Sequence, residues 1–158
     1  MSTEYEILTI TDHPELASAV AGLMFRVFRH KGSKSLEEMT AILLRPPVGP
    51  EETFALIVDG EPVACASLAR HDLPSRNDLA PWLAGVAVDP AFRGRGYGIA
   101  VVRSVEDFAH AAGVRVLWLY TWSAEGLYAK MGWERVGDER DENRGIPVVL
   151  MRRYLATA

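Results

Sequence analysis

The stretch that most constrains this chain is Val86-Ala87-Val88-Asp89-Pro90-Ala91-Phe92-Arg93-Gly94-Arg95-Gly96-Tyr97-Gly98. An apolar run from Trp82 to Val88 stops at Asp89-Pro90, two arginines interleave with three glycines, and an amphipathic helical pattern begins at once. The order reads as strand, anion-sized loop and helix start. Without a Cβ, the glycines at 94, 96 and 98 let the loop take positive φ and bring backbone N–H groups close to a phosphate oxygen. The first-turn N–H groups of the following helix lack intrahelical partners and lie at the positive end of its dipole. Arg93 and Arg95 can add charge-assisted bonds from the rim.

The spacing excludes two better-known phosphate loops. A dinucleotide turn requires Gly-x-Gly-x-x-Gly, and counting from Gly94 and Gly96 the third position is Ile99. A nucleotide-hydrolysing P-loop ends in Gly-Lys-Ser/Thr, whereas Gly98 is followed by Ile99 and Ala100, leaving neither a lysine nor a hydroxyl for magnesium. A net charge of −4 speaks against a nucleic-acid partner. Cys65 is the sole cysteine, so no intrachain disulfide or cysteine-rich zinc site can form. It lies in the apolar run Val63-Ala64-Cys65-Ala66 and reads as a small core residue rather than a nucleophile. His13, His30, His71 and His110 show no metal-ligand spacing, so no metal is expected. The first residues have neither a basic n-region nor an apolar h-region, and no run is long enough to span a membrane. A cytoplasmic protein with no membrane partner is the expectation. At 158 residues, 49% of them hydrophobic, residues 1–158 are expected to form a single domain.

Along the chain, Tyr5 to Ile10 reads as a strand and Asp12-His13-Pro14-Glu15 as a capping box opening a helix that carries Leu16, Val20, Leu23 and Val27 and stops at His30-Lys31-Gly32. Ser35-x-x-Glu38 caps a shorter helix ending at Pro46-Pro47. Thr53–Val58 and Val63–Leu68 form a hairpin across Asp59-Gly60. Residues 70–81 are a polar, proline-broken loop with His71, Asp72, Arg76 and Asp78 as its chemical groups. After the glycine loop, Ile99, Val102, Val105, Phe108 and Ala112 make an apolar stripe, with Arg103, Glu106, Asp107 and His110 mostly on the other side. Val114 to Trp122 reads as a strand buried on both faces and parallel to strand 82–88. A short helix, 124–131, and two strands, 133–136 and 146–154, around an acidic turn from Asp138 to Glu142 complete the chain.

Arg93 to Gly98 fits the pattern Arg/Gln-x-x-Gly-x-Gly/Ala, and Leu127-Tyr128-Ala129-Lys130-Met131-Gly132-Trp133 fits Phe-Tyr-x-Lys-x-Gly-Phe with Leu and Trp at its ends. Both segments resemble motifs of the GNAT superfamily of acyl-CoA-dependent N-acetyltransferases. The resemblance implies an α/β fold: a central mixed, mostly antiparallel sheet of about six to seven strands with a splayed parallel pair, flanked by about four helices. It also implies acetyl-CoA as acyl donor, its pyrophosphate cradled by Arg93, Gly94, Arg95, Gly96, Tyr97 and Gly98, and its pantetheine arm against the backbone of Val86 and Val88. The carried-over catalytic residue is Tyr128, a general acid toward the departing thiolate.

By the same resemblance, a small-molecule or peptide amine attacks the thioester directly, and a homodimer is compatible with the family. Some members place a glutamate on the strand before the glycine loop, but Trp82-Leu83-Ala84-Gly85-Val86 has no acid. Asp72, Asp78, His71 and Glu139 are the substitutes for a base. Thr121 stands where many members have asparagine. The acceptor would enter near residues 29–35, 70–81 and 137–145, where Asp138, Glu139, Asp141 and Glu142 could draw a cationic amine. Two rivals remain: a catalytically silent acyl-CoA sensor, and an RNA-binding module suggested by Arg95-Gly96-Tyr97-Gly98. The latter lacks stacking aromatics at 99, 100 and 102.

Overall fold

A computed structural model describes residues 4–28 and 34–155. Its seven strands are β1 (Glu6–Thr9), β2 (Glu52–Val58), β3 (Glu61–Ala69), β4 (Trp82–Val88), β5 (Val116–Thr121), β6 (Glu134–Asp141) and β7 (Ile146–Tyr154). Four α-helices, α1 (Ala17–Phe28), α2 (Leu36–Leu44), α3 (Tyr97–Ala111) and α4 (Glu125–Lys130), flank them. The strands form one sheet in the order β1-β2-β3-β4-β5-β7-β6. Every neighbouring pair is antiparallel except β4 and β5.

Two cores sandwich the β1–β4 half of this sheet. Phe54, Leu56 and Val58 of β2 and Ala64, Ala66 and Leu68 of β3 pack under α3 with Val101, Val102, Val105 and Ala109. The alternate residues Ala55, Ile57 and Cys65 face the opposite way, against Ala17, Val20 and Leu23 of α1. This is the period-two alternation of a sheet covered on both faces. A tight turn at Asp59-Gly60, both residues at positive φ, joins β2 to β3 as expected.

That parity breaks at Val63–Ala64 of β3, both in the α3 core, and again in β4. Leu83 belongs to the α3 core and Ala87 to the α1 core, although four residues separate them. The register accounts for this: Ser67 pairs with Ala84 and Cys65 with Ala87, so β4 carries one extra residue. The bulge sits at Gly85, whose φ of +62° suits the missing Cβ, and a Cβ there would come within 3.0 Å of Met24 Cε. Beyond the bulge β4 bends away from β5. The parallel pair has a single register partner, Trp82 with Trp118, and the strands part toward their C-terminal ends.

Several local expectations change. Pro14 holds His13 in a non-helical conformation (φ −133°), so a 3-10 turn, Pro14–Leu16, precedes α1, and His13 rather than Asp12 stands at the cap without a side-chain bond. The helix stop at His30-Lys31-Gly32 lies outside the described residues. The Ser35–Glu38 capping box forms in full. On α3, Ile99 is 42% exposed and Glu106 only 5%. Burial of Glu106 is offset by Trp133 Nε1 (2.9 Å), which donates to it, and by Arg103 (2.7 Å). This polar knot ties α3 to the segment after α4. β5 is shorter than expected and alternates in burial: Leu117, Leu119 and Thr121 are buried, while Trp118 and Tyr120 are half-buried toward Leu73 and Leu79 of the 70–81 loop. The loop is pinned there by the Trp82 indole N–H, which donates to the Leu79 carbonyl at 2.7 Å. Finally, Asp138 to Asp141 extend β6 rather than forming a turn.

Candidate active site

The gap between β4 and β5 opens into a cleft of about 650 Å³. Val86 lines one wall, Tyr120 to Ala124 and Tyr128 the other, and side chains from α1 and α2 close the far end. At the near end the lining includes Arg93, the residue that opens the glycine loop. Asp89 bonds the Ala91 N–H (3.0 Å) and starts a 3-10 turn, Pro90–Phe92, that carries the chain into it.

Gly96 caps α3 in the left-handed conformation (φ 82°) and offers no side-chain cap. The first intrahelical bond runs from Ala100 N to Gly96 O. The N–H groups of Tyr97, Gly98 and Ile99 therefore have no backbone partner among the described residues. Three convergent donors at a helix N-terminus suit an anion. A Cβ added at Gly96 would meet no atom within 4 Å, so glycine is required there for its φ alone. Gly98 has an ordinary φ, but a Cβ would lie 3.2 Å from Val88 Cγ2, so its role is close approach of α3 to β4.

The other residues singled out from sequence divide by position. Arg93 lines the cleft, and its Nε donates to the Val88 carbonyl at 3.3 Å. Arg95 lies over the Phe92 ring at 5.1 Å. The Tyr97 ring is buried edge-on against Tyr5, so only its main chain faces the loop. Val86 borders the cleft while Val88 packs beneath α3.

Tyr128 is 8% exposed, lines the cleft and rests edge-on against Trp133. Its hydroxyl makes no hydrogen bond among the described residues, and burial pushes its pKa up to about 12. The phenol thus stays protonated at neutral pH, the form able to donate. Thr121 shapes the turn that presents α4, because its Oγ1 accepts from Ser123 N (3.3 Å) and Ala124 N (2.9 Å). Burial pushes the Cys65 thiol up to about 12, as expected of an inert core residue.

At the far end the structure brings together groups distant in sequence. Asp141, 3% exposed, accepts from Arg144 Nε at 2.8 Å and from Asn143 N at 3.1 Å. Arg144 in turn stacks over Trp122, its Cζ 4.1 Å from the ring centroid. Asp72 borders the same space, and burial, then repulsion from Asp141 against the opposing pull of Arg144, pushes its pKa up to about 7. Burial, then the nearby Asp72 and Asp141 charges, also pushes the Tyr120 phenol up to about 12.

The expected open acidic cluster is not there. Asp138 pairs with Arg135 of β6, Glu139 with Arg76 of the 70–81 loop (3.0 Å) and Asp141 with Arg144 of the β6–β7 connection. Asp78 also pairs with Arg76 (3.1 Å). Of the four substitutes for a base, only Asp72 lines the cleft. The sequence reading missed Trp122, Arg144 and the α1 residues Met24, Phe25 and Phe28. The signal for Trp122 was available, since Trp118, Tyr120 and Trp122 alternate along one strand face. Nothing in sequence spacing marks Arg144.

Among the described residues no group of His, Cys, Asp and Glu could hold a metal ion, and no helix is long and apolar enough to cross a membrane. The profile of the family described as Acetyltransferase (GNAT) family matches residues 20–133. No curated protein sequence matches the chain. Among solved structures it is similar to an acetyltransferase of the GNAT family from Streptococcus pneumoniae (18% identity, 96% of this chain and 99% of that one, TM-score 0.74). It is also similar to an aminoglycoside 6'-N-acetyltransferase complexed with coenzyme A (15% identity, 97% and 98%, TM-score 0.78). A third is the ribosomal-protein-S18-alanine N-acetyltransferase from Escherichia coli (20% identity, 99% and 96%, TM-score 0.69). At these identities the likeness establishes a shared fold.

Proposed function

The chain belongs to the GNAT acetyltransferase family, and from that premise we propose that it moves an acetyl group from acetyl-CoA to a primary amine by direct attack, without a covalent enzyme intermediate. The observation that carries this reading is the parting of β4 from β5 beside the unpartnered N–H groups of Tyr97, Gly98 and Ile99. Those donors, with Gly94, Gly96 and the Arg93 and Arg95 side chains, would hold the pyrophosphate. Backbone groups of Val86 and the Val88 N–H, left without a β5 partner by the splay, would pair with the pantetheine arm in the manner of an added strand.

The donor thioester would then extend toward Tyr128. A neutral hydroxyl placed there stabilises the developing sulfur charge and relays a proton to it. The absence of any competing bond leaves that hydroxyl available. Residues 1–158 are proposed to act as one catalytic unit.

Isothermal titration with acetyl-CoA, followed by thiol release over a panel of primary amines, tests the proposal. Saturable binding and amine-dependent release are expected. Binding with no amine-dependent release would overturn the transferase reading in favour of a sensor, and affinity for oligonucleotide instead of acetyl-CoA would overturn both.

A further inference from the structure

The far end of the cleft sets apolar side chains beside two acids and two cations. Met24, Phe25 and Phe28 of α1, Met39 of α2 and Trp122 all line it. Its two carboxylates differ sharply. Asp141 is buried and occupied by Arg144 and the Asn143 N–H. Asp72 makes no hydrogen bond or ion pair among the described residues. Against these two acids stand Lys34, Arg93 and Arg144, so the cleft as a whole favours no polycation. At the far end a ligand carrying several ammonium groups would find one carboxylate without an ion pair, Asp72, and two cations, Lys34 and Arg144.

We infer that the acceptor is a monoamine borne on an aromatic or aliphatic body, and that Asp72 both seats its ammonium and takes its proton. This rests on the transferase reading above. The apolar body lies between the α1 and α2 side chains and Trp122, where burial of its hydrocarbon favours binding. The raised pKa of Asp72 adds support, because a carboxylate poised near neutrality accepts an ammonium proton far better than one near its ordinary 3.8. The groups that set it are Asp141 and Arg144 from the β6–β7 connection. Tyr120 on β5 and Lys34 before α2 line the same cleft. Arg144 is a positioning residue: held by Asp141 and stacked on Trp122, it fixes the wall without touching the reacting atoms.

The step balances as follows. The ammonium gives one proton to Asp72, which passes it to solvent. The nitrogen lone pair forms the C–N bond to the thioester carbonyl carbon, and the C–S bond breaks with its electron pair on sulfur. Sulfur takes a proton through the Tyr128 hydroxyl, and the second proton shed by nitrogen restores that hydroxyl by way of solvent. The products are amide, free thiol and one released proton.

The test compares phenethylamine, the polycation kanamycin and a peptide with a free N-terminal alanine as acceptors for the whole chain. Phenethylamine is expected to give the highest kcat/KM, above the other two by about tenfold or more. The Asp72→Asn variant should lower kcat/KM for phenethylamine about 100-fold near neutral pH and remove the rise in rate through about pH 7. It should leave the Kd of acetyl-CoA by calorimetry unchanged, and Asp72→Glu should recover part of the rate. Preference for kanamycin or the peptide overturns the inference, as does an Asp72→Asn variant with wild-type rate and pH profile. It also fails if acetyl-CoA binds but phenethylamine is not acetylated. A wild-type chain that does not bind acetyl-CoA overturns the proposed function and this inference together.

Discussion

The two ends of the cleft are built from different materials. The near end is main chain: N–H groups of Tyr97, Gly98 and Ile99 at the start of α3, with glycines that keep side chains out of the way. The far end is side chain, drawn from α1, α2, the 70–81 loop, β5 and the β6–β7 connection. A main-chain grip depends on one contiguous segment and suits a ligand common to many relatives. A side-chain wall depends on the tertiary packing of five segments and can change residue by residue. The near end should therefore fail all at once under a single backbone change, whereas the far end should fail in degrees.

The sharpest way to break that contrast is Gly96→Val. A β-branched residue at φ 82° is strained by about 1–2 kcal/mol, and in relieving the strain it turns the first-turn N–H groups away from a common focus. No neighbour lies within 4 Å of the new Cβ, so the fold should survive with a small fall in Tm. Acetyl-CoA affinity is expected to drop beyond detection by calorimetry. Unchanged affinity in a folded variant would remove the loop from the donor site.

Tyr128→Phe tests the junction of the two ends. The change removes one hydroxyl from a ring that keeps its packing against Trp133. Turnover should fall about 100-fold while the KM for acetyl-CoA changes little, because the lost interaction matters when sulfur charge develops. Stability should rise or hold, since the hydroxyl has no internal partner. A wild-type rate would return Tyr128 to a packing role.

The same contrast explains how much could be read beforehand. The near end was legible because its physics is local: Gly94-Arg95-Gly96 after a strand and before a helix demands an anion-sized loop wherever the rest of the chain goes. The sheet was legible for a related reason, since alternation and the Asp59-Gly60 turn report on neighbours in sequence. The Gly85 bulge was not, because one extra residue in β4 shows only against the register of β3. Glu106 sat on the polar side of a helical wheel beside Arg103, its i,i+3 partner, yet Trp133 draws it inward from a position no periodicity connects. Asp72, Asp141 and Arg144 meet only because the 70–81 loop packs its Leu73 and Leu79 on the outer face of β5, a long-range contact that composition cannot signal.

Asp72→Asn sharpens the comparison from the side of stability. The folded pKa of about 7 lies above the ordinary 3.8, so the folded chain holds this proton more tightly than the unfolded chain. Between these values rising pH removes the proton from the unfolded chain first, and the folded state loses stability across that window. Asparagine is neutral throughout. The variant should match wild type below about pH 4 and exceed it by about 4 kcal/mol near pH 8, measured by urea unfolding at both values. A far end that trades stability for a poised carboxylate predicts this gain, and no gain near pH 8 would mean that Asp72 is well solvated.

The smallest expected effect separates the ends most cleanly. Ser35 Oγ accepts from the Glu38 N–H at 3.1 Å, and the Glu38 carboxylate accepts from the Ser35 N–H at 3.0 Å, closing the first turn of α2. No residue of α2 is fully buried, so the helix leans on this cap more than on a core, and Met39 on it borders the far end of the cleft. Ser35→Ala should cost about 1 kcal/mol. Amide exchange across Leu36–Leu44 should quicken as the helix frays, and the acceptor KM should rise about two- to threefold as Met39 loses its fixed position. The Kd of acetyl-CoA should not move, since α3 and its loop share no hydrogen bond with α2 among the described residues. Faster exchange with an unaltered acceptor KM would take α2 out of the acceptor wall, and a weakened acetyl-CoA Kd would show that the two ends are coupled after all.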